Sequence, residues 1–420
     1  MSASTLSPIS DATPGGEARA PDGLWFGKNL SASDPIPEAA IQRAAALMRS
    51  GRLHRYGEQE SGYSEPSLLE QDYAAYVGSK YCVAVNSCGA ALFIALKALG
   101  VKAGDRVLTS SFTLAPVPGA IAHAGAQPVL VETSSDYTTD LADLALKIEA
   151  SGARVFLVSH MRGHITDMQA VCAVCDRHDV SVIEDCAHTM GAQWDGRHTG
   201  TWGRIGCYSA QTYKHINSGE GGLLVTDDDD VAAQAILMSG CYMMYEQHIL
   251  RPSNEVFERW KYVTPNFSMR MSNLAAALLR PQLGLLAQRG KTWNRIYAML
   301  AARLRKAPGV SIPERNLKEE FVASSIQFSL ALEPARIQRF LQECELRGLY
   351  IKWFGGQQPK AFTSNYAHWH YITKKPVLAK SMAVMRQLLD LRIPLSLTEQ
   401  DCELIGKIVA VAAAIAAMPA

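Results

Sequence analysis

The apolar positions of this chain change period several times, and each change predicts an element. Short β-branched runs at 81–85, 106–110, 128–132, 155–159 and 180–184 are bounded by turn residues and read as strands. Between them apolar residues recur at helical spacing near 90–99, 116–124, 140–150 and 167–178. Strands alternating with helices of that length predict βαβ units and a mostly parallel sheet. Two more runs, 205–209 and 222–226, follow without a full helix between them, so a tight reversal is expected to join them. An amphipathic helix is predicted over about 35–50, a Gly- and Tyr-containing loop over 52–65 and a long helix over 283–306. Beyond it come a strand-like 328–332, a helix near 334–347, an aromatic-rich stretch over 353–371 and two closing helices. The expected organisation is a loose Ser-, Ala-, Pro- and Gly-rich tail over 1–24, a large domain over 25–285 and a smaller α/β domain over 286–420.

Composition narrows the class. Of 420 residues, 41 are Lys or Arg and 40 Asp or Glu, a net charge of +1, and the charged share of 19% lies below the usual value of roughly 25%. A nucleic-acid binder would show a basic excess, and a disordered chain would be rich in charge and poor in apolar residues. The closing apolar run, 408–418, is shorter than the roughly 20 residues a membrane span needs. The first residues lack the apolar centre of a secretory signal. Nine scattered cysteines do not make the dense framework of a small secreted fold, so a cytoplasmic compartment is expected. Cys172 and Cys175 form a CxxC, but within a helical apolar repeat and without a second pair, so they read as structural. His160 and His164 have HxxxH spacing on a strand-to-loop segment containing Gly163, and no metal is expected there.

In an open α/β sheet, ligands bind beyond the carboxyl ends of the strands. After Val85 comes Asn86-Ser-Cys-Gly-Ala-Ala-Leu92, a small-residue turn opening a helix, where free backbone N–H groups and the positive helix end can cradle a phosphate. Small residues serve close helix packing as well. Neither a Walker A pattern nor GxGxxG occurs, which weighs against nucleoside triphosphates and standard dinucleotides. After Ile183 comes Glu184-Asp185-Cys-Ala-His188, where Asp185 reads either as a helix cap or as a carboxylate facing a cation. Lys214 then precedes the glycine-rich reversal Gly219-Glu-Gly-Gly222. A lysine in a dry cleft has a lowered pKa and can form a Schiff base. Taken together, a phosphate turn, Phe112 beyond the next strand, Asp185 at a strand end and Lys214 29 residues later are the parts of a pyridoxal phosphate site. The phosphate needs an anion hole, the ring a flat partner, the pyridine nitrogen a carboxylate and the aldehyde an amine.

These passages closely resemble the DegT/DnrJ/EryC1/StrS family of sugar aminotransferases, within the fold type I pyridoxal phosphate enzymes. The resemblance runs from about Ile36 through Leu286 and is carried further by His160-Met-Arg-Gly163, Gly191-Ala192 and Ser209 through Gly222. It implies an α/β fold with a large, mostly parallel seven-stranded sheet flanked by helices and a smaller C-terminal α/β domain. It further implies that Lys214 is the Schiff-base lysine, that Asp185 pairs with the pyridine nitrogen, that His188 lies beside the ring and that Phe112 stacks on it. The phosphate would be held by Ser209 and the amides of Ser87, Cys88 and Gly89. Two departures stand out. Cys88-Gly89 replaces a frequent Gly-Thr, which removes a hydroxyl contact, and Ser268 stands where a Tyr-Arg pair usually follows a partner-subunit Asn, so Asn266 carries over only as a candidate phosphate contact.

The activity implied by the resemblance is transfer of an amino group from L-glutamate or L-glutamine to a keto-sugar, nucleotide-linked or phosphorylated, or to a cyclitol ketone, in amino-sugar or natural-product biosynthesis. The cofactor would alternate between pyridoxal 5'-phosphate and pyridoxamine 5'-phosphate in a homodimer with sites at the subunit interface, without nucleic acid or membrane. Two alternatives remain. Pyridoxamine-dependent sugar dehydratases replace the lysine with His, and His215 is adjacent to Lys214; a cofactor-binding regulator would keep the site without turnover. The aromatics from Trp353 onward either line the acceptor pocket or pack the small domain. Alternation along an extended segment would turn Tyr213 and His215 away from the side Lys214 faces.

Overall fold

All seven β-branched runs form strands within one residue of the expected bounds: β1 (Tyr81–Val85), β2 (Arg106–Ser110), β3 (Gln127–Val131), β4 (Val155–Ser159), β5 (Ser181–Asp185), β6 (Ile205–Ser209) and β7 (Gly222–Thr226). They belong to a computed structural model that describes residues 20–57, 62–358, 364–373 and 375–419. The strands lie in the order β1-β7-β6-β5-β4-β2-β3. Only β7 runs against its neighbours, pairing antiparallel with both β1 and β6, and the remaining pairs are parallel. Positions of β1, β4, β6 and β7 are buried throughout. A strand covered on both faces has no polar side to alternate with, which is why these runs were continuous in the sequence.

Helices cover both faces. Cys88–Ala98, Pro116–His123 and Asp229–Ser239 pack on one. On the other, Leu141–Ser151 and Met168–Asp176 join a core that continues into Leu286–Leu304 and Glu399–Ala417. Polar caps set several boundaries: Asp140 accepts from the amides of Ala142 and Asp143, and Asp167 accepts from Ala170. The long helix expected over 283–306 forms as Leu286–Leu304, and a separate helix, Asn273–Leu283, precedes it.

A second sheet contains β8 (Val310–Ser311), β9 (Ser325–Leu330), β10 (Lys352–Trp353) and β11 (Leu388–Arg392), in the order β8-β9-β11-β10 and antiparallel throughout. Its β9 begins three residues before the expected 328–332, because Ser325, Gln327 and Ser329 alternate with Ile326, Phe328 and Leu330 and break the apolar run. The apolar face, with Leu389 and Leu391, packs into the shared core. The polar face turns toward the carboxyl end of the large sheet, where Arg162 pairs with Asp390 at 2.8 Å.

Of the segment expected as a tail over 1–24, the described residues from Ala20 onward are tied to the small domain. The amide of Ala20 donates to Leu346 O, Asp22 pairs with Arg347 at 2.7 Å, and the amide of Phe26 donates to Arg347 O. Residues 1–19 of that tail, 58–61 of the expected loop and 359–363 of the aromatic stretch lie outside the described residues. Among the described residues, no helix is long and apolar enough to cross a membrane.

Candidate active site

The ends of β2, β4 and β5 are tied by a buried chain of hydrogen bonds. Thr113 Oγ1 donates to Ser159 Oγ at 2.8 Å, and Ser159 Oγ donates to Asp185 Oδ2 at 2.7 Å. The amide of Ala187 donates to Asp185 Oδ1 at 3.1 Å, and the Cys88 thiol lies 4.0 Å from the same oxygen. Asp185 is 5% exposed, so these donors offset the loss of water around its carboxylate.

Lys214 enters from the loop between β6 and β7. That loop is closed on itself: the amide of Ala210 donates to Gly221 O, that of Thr212 to Gly219 O and that of Lys214 to Gln211 O. The half-buried Lys214 Nζ lies 2.9 Å from His188 Nε2. Burial, followed by the charge of Arg162, lowers the Lys214 amine to about 8, while Asp185 pulls it the other way. Burial and the charges of Lys214 and Arg162 push His188 well below its ordinary value. At neutral pH His188 is therefore neutral, and its Nε2 accepts from Lys214.

The small-residue turn forms as expected. Ser87 is in extended backbone and its Oγ accepts from the amide of Ala90 at 3.0 Å, capping the helix Cys88–Ala98. That leaves the first-turn amides of Cys88 and Gly89 without intrahelical partners, at the positive end of the helix. A Cβ at Gly89 would meet nothing nearer than Ser87 Oγ at 3.8 Å, so the space above the turn is open. A Cβ at Gly222 would collide with the carbonyl of Ser87 and the amide of Cys88, which explains a glycine at the start of β7. Ser209 ends β6 with its Oγ accepting from the amide of Gln211 at 3.3 Å. Phe112, 1% exposed, follows β2 and meets the edge of Phe354 at 5.1 Å.

An amine able to lose its proton near neutral pH, a fixed carboxylate at a strand end, an open anion cradle and an adjacent buried aromatic together fit pyridoxal phosphate. Asn266 is exposed, with Oδ1 accepting from the amide of Ser268 at 2.9 Å. Its loop is joined to the end of β1 by the Asn86 amide donating to Met269 O and by a bridge between Val85 and Arg270.

Three expectations change in detail. The segment around Lys214 is a turn, so strand alternation does not govern it; His215 is nevertheless buried against Trp293 at 5.2 Å, and Tyr213 is 44% exposed. His160 and His164 part company, His160 Nε2 reaching Glu184 at 3.1 Å and His164 Nε2 reaching Gln327 at 2.8 Å. Glu184 also accepts from the amides of Gly200 and Gly203, so the neighbouring His160, Glu184 and Cys186 form a structural cluster. Phe354 packs in a buried apolar cluster that includes Phe112, Trp369 and Leu388, the packing role considered for the aromatic stretch.

Sequence reasoning missed Ser159, Arg162, Asp390 and Arg392. Ser159 ends a strand, and the strand-end rule applied to β4 would have found it. Arg392 Nη2 donates to Tyr213 O at 2.8 Å and its guanidinium lies 4.4 Å from the Tyr213 ring centre; no local signal marks that contact.

The family model described as the DegT/DnrJ/EryC1/StrS aminotransferase family matches residues 35–410. The chain is 34% identical to the spore coat polysaccharide biosynthesis protein SpsC of Bacillus subtilis (strain 168), over 66% of this chain and 69% of that protein. It is also 34% identical to a putative L-glutamine:3-amino-2,3-dideoxy-scyllo-inosose aminotransferase of Micromonospora echinospora, over 53% of this chain and 52% of that one. Among solved structures, the aminotransferase TlmJ from Streptoalloteichus hindustanus has a similar fold, with a TM-score of 0.78, 21% identity and coverage of 91% of this chain and 98% of its own.

Proposed function

We propose that this chain, which belongs to the DegT/DnrJ/EryC1/StrS aminotransferase family, moves an amino group from L-glutamate or L-glutamine to a keto-sugar, nucleotide-linked or phosphorylated, or to a cyclitol ketone. Family membership makes it a pyridoxal-phosphate-dependent transaminase. When bound, the cofactor supplies an electron sink conjugated with the carbon that bears the migrating amine. Lys214 Nζ holds the cofactor at rest and, once freed, carries a proton to and from the substrate carbon as a general base and acid. His188, neutral and 2.9 Å away, orients that amine. Asp185, fixed by Ser159 and the amide of Ala187, keeps the ring nitrogen protonated. Ser209 and the amides of Ser87, Cys88 and Gly89 hold the phosphate, and Phe112 lies against the ring. Asn266 completes the phosphate contacts in the second subunit of a homodimer, and the protein works in the cytoplasm. We assign 25–285 to the cofactor-binding domain and 286–420 to the smaller one.

The observation that carries this reading is the Lys214 amine, lowered to about 8 and 2.9 Å from neutral His188, in the same cleft as Asp185. It also weighs against a dehydratase that uses His, because His215 packs on Trp293 instead of entering the cleft. Both half-reactions share one site, so ping-pong kinetics are expected. The test mixes purified holoprotein with L-glutamate or L-glutamine, then with keto-sugar or cyclitol ketone acceptors. Release of the donor's keto acid followed by an aminated acceptor is expected. Failure of every amino acid to release its keto acid would sink the transaminase reading and favour a regulator.

A further inference from the structure

Lys214 sits on a loop between β6 and β7, outside any strand or helix, so no regular ladder of hydrogen bonds fixes its Cα. The residues that follow it are gripped from outside the loop. His215 is 1% exposed and meets the edge of Trp293 at 5.2 Å, and its carbonyl accepts from Arg289 Nη1 at 3.0 Å. Ile216 is buried in the apolar cluster of Leu69, Met190 and Leu279. Both backbone groups of Asn217 are paired by one side chain: its amide donates to Gln282 Oε1 at 3.1 Å, and its carbonyl accepts from Gln282 Nε2 at 2.8 Å. A side-chain amide has one acceptor oxygen and an N–H donor, so here it stands in for a neighbouring strand.

Gln282 and Arg289 also hold each other. Gln282 is 1% exposed, its Nε2 donates to Leu278 O at 2.6 Å, and its Oε1 accepts from Arg289 Nη1 at 3.2 Å. One residue lies in the helix Asn273–Leu283 and the other in Leu286–Leu304, so the junction of the two helices is aimed at the loop of Lys214. Burial opposes the charge of Arg289 and lowers it below its ordinary value, while the half-buried carboxylate of Asp34 pulls the other way. Desolvating a guanidinium to serve a neutral carbonyl is costly, and an uncharged donor would satisfy the same oxygen. The helix of Arg289 continues into the core shared with Glu399–Ala417, so this grip ties Lys214 to an element that packs on both sheets.

We infer that Gln282 and Arg289 are positioning residues for Lys214: they fix the backbone immediately beyond it and so keep its amine beside His188 in the cleft. The catalytic consequence rests on the transaminase reading above. A lysine reaches its target through four flexible carbons, so where its amine sits depends on where its Cα is held. Groups on loops gain precision only from the residues that support the loop, and a misplacement of about 1 Å can cost about a hundredfold in rate. Both residues act through the loop, by way of His215 O and the amide and carbonyl of Asn217.

The test uses two variants that leave the net charge unchanged. Gln282→Met removes both contacts to Asn217 at similar volume, and Arg289→Lys keeps the cation but shortens its reach to His215 O. Cofactor-free full-length protein is treated with trace acetic anhydride from neutral to alkaline pH, and peptide mass spectrometry reads the labelling midpoint of Lys214 against exposed Lys102. The wild-type midpoint is expected at about 8. Water entering a loosened cleft weakens the burial that lowers the amine, so the midpoint is expected to rise by about one unit in Gln282→Met and by less in Arg289→Lys. Arg162, Arg392, Asp185, Cys88 and His188 act on the amine and none is altered, so a rise reports the placement of Lys214. In the holoenzyme, kcat is expected to fall about tenfold or more, with KM for donor and acceptor nearly unchanged. A rise in one variant alone keeps the role for that residue and strikes it for the other. Midpoints equal to the wild type's in both variants overturn the inference whatever becomes of kcat, and Arg289→Lys decides alone if Gln282→Met does not fold. If the wild-type holoprotein releases no keto acid from any amino acid, the transaminase reading fails, and the midpoints in the cofactor-free protein still decide whether Gln282 and Arg289 place Lys214.

Discussion

Around Glu70, every charge meets its opposite. Arg55 reaches both Glu70 oxygens, at 2.6 and 2.5 Å, His248 Nδ1 lies 3.0 Å from Oε2, and the amide of Ala84 donates to Oε1 at 2.7 Å. The side chains of Arg55, Glu70 and His248 are fully buried. Around Lys214, built from similar residue types, two cations, Arg162 and Arg392, act on the amine against the carboxylate of Asp185. Closure at Glu70 joins the segment before residue 57, the helix Glu65–Val77, β1 and the loop carrying His248. Imbalance at Lys214 joins nothing so firmly, but it leaves a field that an anionic ligand completes. A buried charge network that is complete fixes a fold, and one left incomplete at a sheet's carboxyl end reads as a place for substrate.

The sharpest way to separate the two regions is to remove one member of each. Lys214→Ala is expected to lower amino transfer by about a thousandfold or more, as loss of the acid-base group requires, while the midpoint of thermal unfolding moves little. A large fall in that midpoint would mean that Lys214 is structural and would erase the distinction. Glu70→Ala strands Arg55 in the core and is expected to cost about 3–5 kcal/mol in urea unfolding, with activity per folded molecule retained. Replacing Arg55 and Glu70 together by Met and Leu should recover most of that loss.

Much of this contrast was legible only in part from sequence. The large sheet could be read because its strands are buried on both faces, and Asp185 and Lys214 could be found because strand ends in such a sheet collect ligand groups. Arg162 and Arg392 could not be joined from sequence, since 230 positions separate them and only the packing of β11 against the end of β4 brings them to one cleft. The offset of β9 has the same origin: its polar positions face that cleft, so its apolar run is incomplete. Local periodicity reports burial, and a site made between two sheets lies where burial is partial.

Smaller effects sharpen the comparison. Ser159→Ala removes a donor to Asp185 and is expected to reduce kcat/KM by about tenfold, in line with one hydrogen bond to a charged group, without changing substrate preference. A change in preference would place Ser159 in substrate recognition.

The two regions should also titrate at opposite ends of the pH scale. Burial opposes the charge of Glu70, but Arg55 and His248 hold it down at about 2 against an ordinary 4.5. Its contribution to stability is therefore present above pH 4.5 and is lost as pH falls toward 2. Lys214, lowered from 10.5 to about 8 mainly by burial, binds fewer protons folded than unfolded in that window. Stability of the cofactor-free protein should therefore rise with pH between about 8 and 10.5. Urea unfolding of wild type against Glu70→Gln in acid and Lys214→Met in alkali checks each window, and a slope shared by wild type and variant would remove that group from the account.

The most direct measurement reads which amine holds the cofactor. Borohydride reduction of the holoprotein fixes the cofactor to that amine, and peptide mass spectrometry locates the added mass. The expected result is label on Lys214 alone. Label on any other lysine, or the absence of label anywhere, would contradict the assignment of this cleft as the catalytic site.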